Sequence, residues 1–259
     1  MIDLHCHILP GIDDGAKTIE DSIDLIKEEQ RQGVDSIMFT PHFNFERTDI
    51  QIFQKRRQRS MQALSDALVE QNINISLKTG SEVYFSVKLM EEDIDPLCFG
   101  DSNYILIEFP VNSKPYGLEV TIDNLIRRGY IPILAHVERY KEVQENVNII
   151  YDCIKEGALI QVNSSSIIGK NGKEAERVNE ILLNNNMIHF IATDAHSSTR
   201  RRPIIRETYD YIVRKYGEQK AEMLFIQNPY KVIEDKEISI ESPRKYEKSK
   251  GFFKKLFKK

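Results

Sequence analysis

The chain has 259 residues, and its content of 41% hydrophobic and 29% charged residues is that of an ordinary globular protein rather than a disordered one. This length suffices for one sizeable core or a closed α/β barrel. No run of about 18 apolar residues is present, which excludes a transmembrane helix. The polar Asp3, His5 and His7 do not fit a signal peptide, so we expect a cytoplasmic protein.

The net charge of −4 conceals a division between an acidic body and a basic end. Eight basic residues and one acid lie between Arg244 and Lys259, so this segment carries +7 and the rest of the chain −11. An acidic body argues against a protein that wraps nucleic acid, which usually presents a basic face. The three scattered cysteines indicate a reducing compartment and no disulfide framework.

Short apolar runs rich in β-branched residues recur along the chain and predict seven strands. Each run is nearly continuous in Ile, Val, Leu and Phe, which is typical of parallel strands buried on both faces. In chain order the predicted strands are residues 2–5, 36–40, 75–79, 104–108, 131–135, 159–163 and 189–193.

Amphipathic patterns between these runs predict helices. Thr18 and Asp21 form a capping-box pattern at the start of the first helix, whose apolar stripe ends at Gly33. Three of the other helices end at a glycine just ahead of the next strand, as is common in α/β proteins. These further helices are predicted at about 49–69, 118–128, 143–155, 173–184 and 204–216.

The alternation of strands and helices predicts an α/β fold, in which a parallel sheet is joined by right-handed crossovers. No GxGxxG or GxxxxGK[ST] motif follows a strand, so a closed or nearly closed barrel is favoured over an open nucleotide-binding sheet. We assign residues 1–238 to the folded domain and residues 239–259 to a basic C-terminal tail.

Histidines and carboxylates gather at the predicted carboxyl ends of the strands, where the active site of a βα barrel lies. His5 and His7 are two residues apart, so strand alternation places both imidazoles on one face. Five of the six histidines occupy such positions. The strand-end residues that offer a metal donor are His5, His7, Asp13, Asp14, His42, Glu82, Glu108, His136, Asp194 and His196.

This donor set exceeds the need of one ion, and its mixture of imidazole and carboxylate suits Mn, Fe or Zn better than Ca or Mg. We therefore predict a cluster of two or three metals, in which a carboxylate such as Glu82 bridges ions. Such a cluster makes a hydroxide nucleophile near neutral pH and neutralises phosphate oxygens. Arg139 and the Arg200, Arg201 and Arg202 cluster follow donor-bearing strands and suit a phosphoryl clamp.

Five sequence motifs at these positions carry a family resemblance: Asp3-Leu4-His5-Cys6-His7, Thr40-Pro41-His42, Gly80-Ser81-Glu82, His136 and Asp194-Ala195-His196. They resemble the motif blocks of the polymerase-and-histidinol-phosphatase (PHP) superfamily. More narrowly, about residues 1–230 resemble the manganese-dependent protein tyrosine phosphatases of bacterial capsule and exopolysaccharide operons. The narrower resemblance depends on residues 7–15, 108–110, 135–140 and 201–203.

The resemblance implies a distorted seven-stranded (βα) TIM-like barrel of the PHP type and three ions, with Mn²⁺ expected and Fe or Zn as alternatives. The first ion would take His5, His7, Glu82 and Asp194. The second would share Glu82 and add Glu108 and His136. The third would take His42, His196 and Asp14, with Asp13 as the competing acid. Arg139 and Arg201 would bind the phosphate, with Arg202 competing for the role of Arg201.

The substrate that the resemblance implies is the phosphotyrosine-rich tail of a cognate, membrane-associated bacterial tyrosine kinase. Its dephosphorylation by a metal-activated hydroxide would regulate capsule and exopolysaccharide synthesis. Cysteine-based tyrosine phosphatases need an arginine six residues after the cysteine. Ile12, Tyr104 and Leu159 stand at those positions, so a tyrosine phosphatase with this sequence must use metals.

Two other classes of function stay open. A small-molecule phosphatase similar to histidinol phosphatase, or a nuclease of the TatD type, would use a similar metal centre, although the acidic body disfavours a nuclease. A non-catalytic protein that binds phosphorylated tails would not need three metals. Among other polar residues, we favour a solvated Glu138 over one that supports the metal donors, and we expect His189 to be structural. Asn163 either lines the pocket or bonds its own turn.

Two basic segments have two interpretations each. Residues 250–259 mix Phe and Leu with lysines, and form either a disordered end or a weak contact with anionic lipid at the inner face of the membrane. The basic cluster of Lys55, Arg56, Arg57 and Arg59 is either an outer helix face or a contact with an acidic partner or a neighbouring subunit. The sequence leaves the oligomeric state open.

Overall fold

Parallel strands form the frame of the molecule, and the computed structural model of the chain describes residues 1–112 and 117–247. Each predicted strand is present, with bounds within one residue of those expected. Two short strands, β3 and β5, are additional. The strands in the described ranges are β1 (Ile2–Cys6), β2 (Ser36–Phe39), β3 (His42–Phe43), β4 (Ser76–Thr79), β5 (Glu82–Tyr84), β6 (Tyr104–Glu108), β7 (Ile131–Leu134), β8 (Leu159–Asn163) and β9 (Phe190–Ala192).

The additional strands arise because two strands break near their carboxyl ends. Pro41, which has no backbone N–H, separates β2 from β3, and Gly80-Ser81 separates β4 from β5. The breaks divide the strands into a sheet of order β1-β2-β4 and a sheet of order β3-β5-β6-β7-β8-β9, in which every pairing is parallel. Each break also carries the residue after it, His42 or Glu82, into the second sheet.

The parallel sheet curls until its first strand meets the end of its last. The backbone N–H of Asp194, just beyond β9, donates to the His5 carbonyl at 2.8 Å. His7 N–H donates to the Ala195 carbonyl at 2.8 Å, and Cys6 forms a parallel bridge with Ala195. The predicted α/β fold with a parallel sheet is therefore present, and its curl brings residues from both ends of the chain together.

Helices cover the outside of the sheet, and each predicted helical segment is helical, one of them with a break, while three short α-helices of the described residues were not predicted. The Thr18 hydroxyl accepts from Asp21 N–H at 3.1 Å and Thr18 N–H donates to the Asp21 carboxylate at 3.1 Å, which confirms the capping box. The α-helices of the described residues are α1 (Ile19–Arg31), α2 (Ile50–Glu70), α3 (Leu118–Arg127), α4 (Lys141–Glu145), α5 (Asn148–Lys155), α6 (Ser164–Ile167), α7 (Lys173–Asn184), α8 (Arg206–Tyr216), α9 (Glu218–Glu222) and α10 (Asn228–Ile233).

The prediction of one helix over residues 143–155 is wrong, because the chain breaks at Asn146. This residue has an extended backbone with φ −138° and ψ 91°. Its side-chain oxygen accepts from Asn148 N–H at 3.2 Å, which satisfies a donor at the start of α5. An asparagine side chain that bonds the backbone two residues later favours a turn over a continuous helix.

The inner face of the curled sheet is apolar at one end and polar at the other. Alternate residues of β6, β8 and β9 lie on this face. They contribute to one buried apolar cluster, which contains Tyr104, Leu106, Leu159, Phe190 and Ala192. The next inward residues along the same strands are polar: Glu108 on β6, Gln161 and Asn163 on β8, and Asp194 just beyond β9. A packed apolar layer therefore forms the floor on which the polar residues at the strand ends lie.

Part of the segment that we predicted as a tail lies against the helices. Arg244 N–H donates to the Asn185 carbonyl at 2.9 Å, and Tyr246 N–H donates to the Asn148 side chain at 2.8 Å. Residues 250–259, for which we considered a lipid contact, lie outside the described residues. Within the described ranges, no helix combines the length and the apolar character needed to cross a membrane.

Arg57 provides a test of how α2 holds the break between β4 and β5. Its buried guanidinium donates to the Gly80 carbonyl at 2.7 Å, the Ser81 hydroxyl at 2.8 Å and the Pro96 carbonyl at 2.7 Å. Arg57→Met should lower the free energy of unfolding by about 2–4 kcal/mol, because it leaves buried acceptors unpaired. Urea denaturation measures the loss. The exposed Arg59→Met on the same helix should change stability by no more than about 0.5 kcal/mol.

Candidate metal centre

His5 and His7 leave the end of β1 side by side, as strand alternation predicts. Their Nε2 atoms lie 3.2 Å apart, and both side chains are fully buried. The opposite nitrogen of each ring has an acceptor: His5 Nδ1 lies 3.1 Å from Gln161 Oε1, and His7 Nδ1 lies 2.7 Å from Asp13 Oδ2. With the proton on Nδ1, both Nε2 lone pairs point into the same space, as in metal-binding histidines.

Glu82, the first residue of β5, lies at the centre of the histidines. Its Oε2 atom lies 3.2 Å from His5 Nε2, 3.1 Å from His7 Nε2 and 3.0 Å from His42 Nδ1. Its other oxygen lies 2.7 Å from His136 Nε2. Glu82 is therefore the one described carboxylate in contact with four histidines, the position predicted for a bridging acid.

Asp14 and Asp13 occupy different positions, although they are adjacent in sequence. The Asp14 carboxylate lies 3.4 Å from His42 Nε2 and 3.3 Å from His196 Nε2, at the exposed side of the cluster. Asp13 instead accepts from His7 Nδ1, from His42 N–H at 3.0 Å and from Gly15 N–H at 2.9 Å. Asp13 orients the rings from behind, so Asp14 is the acid that faces His42 and His196.

Asp194 connects the histidines to two arginines. One oxygen lies 3.7 Å from His5 Nε2 and 3.6 Å from His7 Nε2. The other accepts from Arg201 Nη2 at 2.6 Å and lies 3.4 Å from Arg139 Nη1. The side chains of Arg139 and Arg201 therefore converge beside the donor cluster, whereas Arg202 is exposed at the edge of the same cleft.

Glu108 and His136 complete the set on the other side of Glu82. His136 Nε2 lies 3.6 Å from Glu108 Oε1, and the two follow neighbouring strands β6 and β7. His136 has a left-handed backbone, with φ 34°, which turns its ring inward at the end of β7. The structure thus brings all nine predicted donors together, with Glu108 half-buried and Asp14 exposed.

The electrostatics of the cluster favour bound cations. Burial lowers the pKa of His5, but the nearby Glu82 and Asp194 outweigh it and raise that pKa to about 9. The pKa of His42 likewise rises to about 9, because Glu82 and Asp13 outweigh its burial. Burial raises the pKa of Glu82, yet the surrounding histidines hold it well below its ordinary value. Glu82 therefore stays charged and attracts positive charge, which protons or metal ions can supply, whereas burial and the neighbouring Glu82 raise the pKa of Glu108.

The donor geometry fits divalent ions. Glu82 Oε2 and Asp194 Oδ1 are buried without a hydrogen-bond donor from the described residues, and histidine nitrogens face both atoms. Electron-rich atoms that face one another in a buried space need a cation between them. Within each of three groups of residues, the donor atoms lie within 4.8 Å of one another. The groups are His7, Asp14, His42 and His196; His5, His7 and Asp194; and His42, Glu82 and Glu108.

Gln161 is not among the predicted site residues, and Glu138 lies in a different environment from the one expected. Gln161 Oε1 lies near His5 Nδ1 and also accepts from His136 N–H at 2.9 Å, so one side chain orients two predicted donors. Glu138, which we expected to be solvated, is fully buried and accepts from Asn163 N–H at 3.1 Å. Gln161 precedes Asn163 by two residues on β8, so strand alternation places both side chains on the same face. This spacing could have identified Gln161 from the sequence.

Asn163 and His189 have the positions of supporting residues. Asn163 Nδ2 donates to Asp194 Oδ2 at 2.7 Å, and its oxygen accepts from Gln161 Nε2 at 3.1 Å. Asn163 therefore lines the cleft, the first of its two interpretations. His189 Nδ1 accepts from Ile160 N–H at 3.0 Å at the opposite end of the strands, in keeping with a structural role.

A curled parallel sheet with polar residues at the carboxyl ends of its strands defines the class of barrel-like α/β proteins whose active sites lie at this end, and the histidines and carboxylates found here could hold metal ions. The family model for capsular polysaccharide synthesis, CpsB/CapC, matches residues 1–234. The chain belongs to this family, which confirms the narrower resemblance drawn from the sequence motifs.

Characterised relatives are similar along their whole length. Tyrosine-protein phosphatase YwqE of Bacillus subtilis is 33% identical over 98% of this chain and 100% of its own. Tyrosine-protein phosphatase CpsB of Streptococcus pneumoniae is 32% identical over 91% of this chain and 99% of its own. The putative tyrosine-protein phosphatase CapC of Staphylococcus aureus is 31% identical, with coverage of 98% and 99%.

Solved structures agree with the family assignment. A crystal structure from the pair YwqE of Bacillus subtilis and CpsB of Streptococcus pneumoniae, described as unique metal-dependent tyrosine phosphatases, has a TM-score of 0.86. It is 30% identical and covers 96% of this chain and 100% of that chain. The lactonase Lmo2620 of Listeria monocytogenes has a TM-score of 0.55 at 12% identity, with coverage of 91% and 95%, and shares the fold alone.

Gly15 offers a test of how His7 is positioned. A Cβ atom on this residue would lie 1.8 Å from the His7 carbonyl oxygen, so an added methyl group must displace His7. Gly15→Ala should weaken Mn²⁺ binding at least about tenfold, as measured by calorimetric titration of the metal-free protein. Gly100→Ala is the control, because Gly100 has φ +56° and no atom within 4 Å. It should cost roughly 1–2 kcal/mol of stability and leave Mn²⁺ affinity unchanged.

Gln161 tests whether the residues behind the histidines tune metal affinity. Gln161→Leu keeps the approximate volume but removes the acceptor for His5 Nδ1 and His136 N–H. Mn²⁺ affinity should fall by about 10- to 100-fold, because the His5 ring loses its fixed orientation. The exposed Gln62→Leu on α2 is the matched control. Equal affinities of the two variants would show that Gln161 does not orient the donors.

Proposed function

We propose that the chain is a metal-dependent protein-tyrosine phosphatase of capsular polysaccharide synthesis. The observation that carries this proposal is the position of Asp194, which contacts both the histidine cluster and the guanidinium groups of Arg139 and Arg201. A phosphoryl group held by the two arginines would lie against the donor cluster. The names of the full-length relatives support the substrate class.

The proposed cofactor is Mn²⁺, in three sites, with Fe or Zn as alternatives. His5, His7, Glu82 and Asp194 would hold the first ion. Glu82, Glu108 and His136 would hold the second, and Asp14, His42 and His196 the third. When bound, the ions would supply Lewis-acid charge for the phosphate oxygens and an acidified water as the nucleophile. Two of the three groups of converging donors support this division, because one contains His5, His7 and Asp194 and another contains Asp14, His42 and His196. In the remaining group Glu82 and Glu108 converge with His42, and His136 joins this pair through its contacts with Glu82 at 2.7 Å and Glu108 at 3.6 Å.

The protein side chains would bind and orient the phosphate. Arg139 and Arg201 present N–H groups that suit bidentate binding of phosphoryl oxygens. The Asp194 carboxylate holds both guanidinium groups, with 3.4 Å to Arg139 Nη1 and 2.6 Å to Arg201 Nη2. Because the arginine side chains are already fixed, less side-chain entropy is lost when substrate binds. The buried Asn163 fixes Asp194 in turn through a hydrogen bond of 2.7 Å.

Thiolate chemistry does not fit this chain. Cys6, Cys98 and Cys153 are all buried. Burial raises the pKa of Cys98 to about 12 and that of Cys153 to about 12, and it raises that of Cys6 well above its ordinary value. A nucleophilic cysteine needs an exposed sulfur and a lowered pKa. The geometry therefore agrees with the sequence argument that phosphate-ester hydrolysis must use the histidine–carboxylate centre.

Further details of the proposal extend the family assignment. We take the fold as a distorted seven-stranded PHP-type barrel, with β2–β3 and β4–β5 each counted as one bent strand. The folded domain is residues 1–238 and the basic tail residues 239–259. The substrate is the phosphotyrosine tail of a membrane-associated kinase rather than a nucleic acid, and the protein acts in the cytoplasm, with the tail contributing a contact at the inner face of the membrane.

The decisive measurement is a panel of substrates, each assayed with Mn²⁺ and with EDTA. The panel contains a phosphotyrosine peptide, histidinol phosphate and single-stranded DNA. The proposal expects hydrolysis of the phosphotyrosine peptide, loss of activity in EDTA and recovery when Mn²⁺ is restored. Preferred hydrolysis of histidinol phosphate or of DNA would replace the proposed substrate class with one of the two alternatives.

Two single variants test the centre itself. His136→Ala and Asp194→Ala should each reduce kcat at least about 1,000-fold, because each removes a donor from the predicted cluster. Circular dichroism should show that the fold is retained. The triple variant Cys6→Ser, Cys98→Ser and Cys153→Ser should keep substantial activity. Full activity of either single variant would refute the proposed centre.

A further inference from the structure

A groove runs outward from the donor cluster on the side away from Arg139 and Arg201. Its inner end is formed by Asp14, His42 and Glu108, which belong to the cluster itself. Its outer part is formed by the loop after β3, the first turns of α2 and Tyr84 of β5. Among the residues that line this outer part are Asn44, Arg47, Phe53, Arg56 and Tyr84.

The charge of the groove changes from acidic to basic along its length. The acids at the inner end belong to the proposed metal centre, whose cations would neutralise them. Arg47 and Arg56 are exposed at the outer end, and neither forms an ion pair with a carboxylate of the described ranges. Arg56 makes a hydrogen bond of 3.5 Å to the Ile12 carbonyl, which leaves most of its donors free. Two guanidinium groups are therefore available to a ligand.

The neighbouring basic residues of α2 do not share this property. Arg57 is buried and donates to Gly80, Ser81 and Pro96, so it is part of the framework. Arg59 is exposed but does not line the groove. Of the basic cluster noted in the sequence, Arg57 is therefore structural and Arg56 lines the groove. Lys55 and Arg59 lie on the outer face of the helix. Only Arg56 lies where it can act together with Arg47.

Aromatic side chains form the apolar part of the groove. The rings of Phe43 and Phe53 pack at 5.1 Å between centroids beneath it, and Phe43 is fully buried. Tyr84 presents a ring that is 36% exposed beside Glu108. An exposed ring in the same groove as free guanidinium groups suits a ligand that carries both an aromatic ring and negative charge. The ligand ring can stack on the tyrosine ring or on a guanidinium group, and the negative charge can pair with a guanidinium group.

We infer that this groove binds the peptide next to the reacting phosphotyrosine and selects a neighbouring anionic side chain, either a carboxylate or a second phosphotyrosine. The inference rests on the proposed function. The arginines near Asp194 hold the reacting phosphate on one side of the cluster, and the groove leads away on the other. A tyrosine-rich, acidic segment therefore matches the groove in both charge and aromatic character.

Binding is tested with peptides that contain phosphonomethyl-phenylalanine, a non-hydrolysable mimic of phosphotyrosine. Three peptides carry glutamates, lysines or a second copy of the mimic beside the first, and fluorescence anisotropy gives Kd for each. The Mn²⁺-loaded protein should bind the glutamate peptide and the peptide with two mimics at least about tenfold more tightly than the lysine peptide. A preference for only one of the first two identifies which anion is selected.

The variant Arg47→Glu/Arg56→Glu should abolish or reverse this preference, and Arg59→Glu on the same helix should retain it. The ratio of kcat/KM for a glutamate-flanked phosphotyrosine peptide to that for p-nitrophenyl phosphate should fall at least about tenfold in the double variant. It should not change in Arg59→Glu. Equal binding of the three peptides by the unaltered protein, or a preference that survives the double substitution, would overturn the inference.

The same measurements separate this inference from the proposed function. Absence of hydrolysis of every phosphotyrosine substrate by the Mn²⁺-loaded protein contradicts the proposed function and leaves the anisotropy comparison as the test of the groove. Hydrolysis without any peptide preference contradicts the groove alone. Circular dichroism and Mn²⁺ titration of the double variant show whether its fold and metal binding are intact.

Discussion

A buried carboxylate surrounded by histidines is the constraint on which the rest of the structure depends. Glu82 is fully buried, and its two oxygens lie within 3.2 Å of ring nitrogens from four histidines. An isolated carboxylate in such a place would be strongly destabilising, so its neighbours must supply positive charge. Those neighbours come from three different strands, His5 and His7 from β1, His42 from β3 and His136 from the end of β7, and each needs a backbone that points it inward. The breaks before His42 and Glu82 and the left-handed backbone of His136 provide this direction.

The supporting residues form a continuous network behind this centre. Gln161 contacts His5 and His136, and it donates to Asn163, which in turn donates to Asp194. The network lies directly above the apolar layer inside the sheet, so well-packed hydrophobic side chains limit its movement. Rigid donors reduce the reorganisation that a metal ion or a phosphate would otherwise impose on binding. The same strands therefore provide both the stability of the core and the accuracy of the site.

Much of this arrangement could be predicted from sequence, because buried parallel strands and paired histidines leave strong local patterns. The strand bounds, the Thr18 capping box and the grouping of the donors at one end of the sheet were all accessible in this way. Other features leave no clear pattern. The break at Asn146 reflects a local side-chain hydrogen bond that competes with a helical pattern. The burial of Glu138 depends on its bond to Asn163, which no local pattern reveals. Long-range packing decides the second case against local propensity.

The junction between β1 and the end of β9 has a consequence for the newly made protein. His5 and His7 lie on the first strand, whereas Asp194 and His196 follow the last, and backbone hydrogen bonds join the two segments. On the ribosome the first histidines emerge nearly 200 residues before the groups that complete their surroundings. The chain must therefore be largely synthesised and its sheet curled before the donor cluster exists. Binding of metal ions by the complete donor cluster would accordingly be a late event in maturation, after the first and last strands have met.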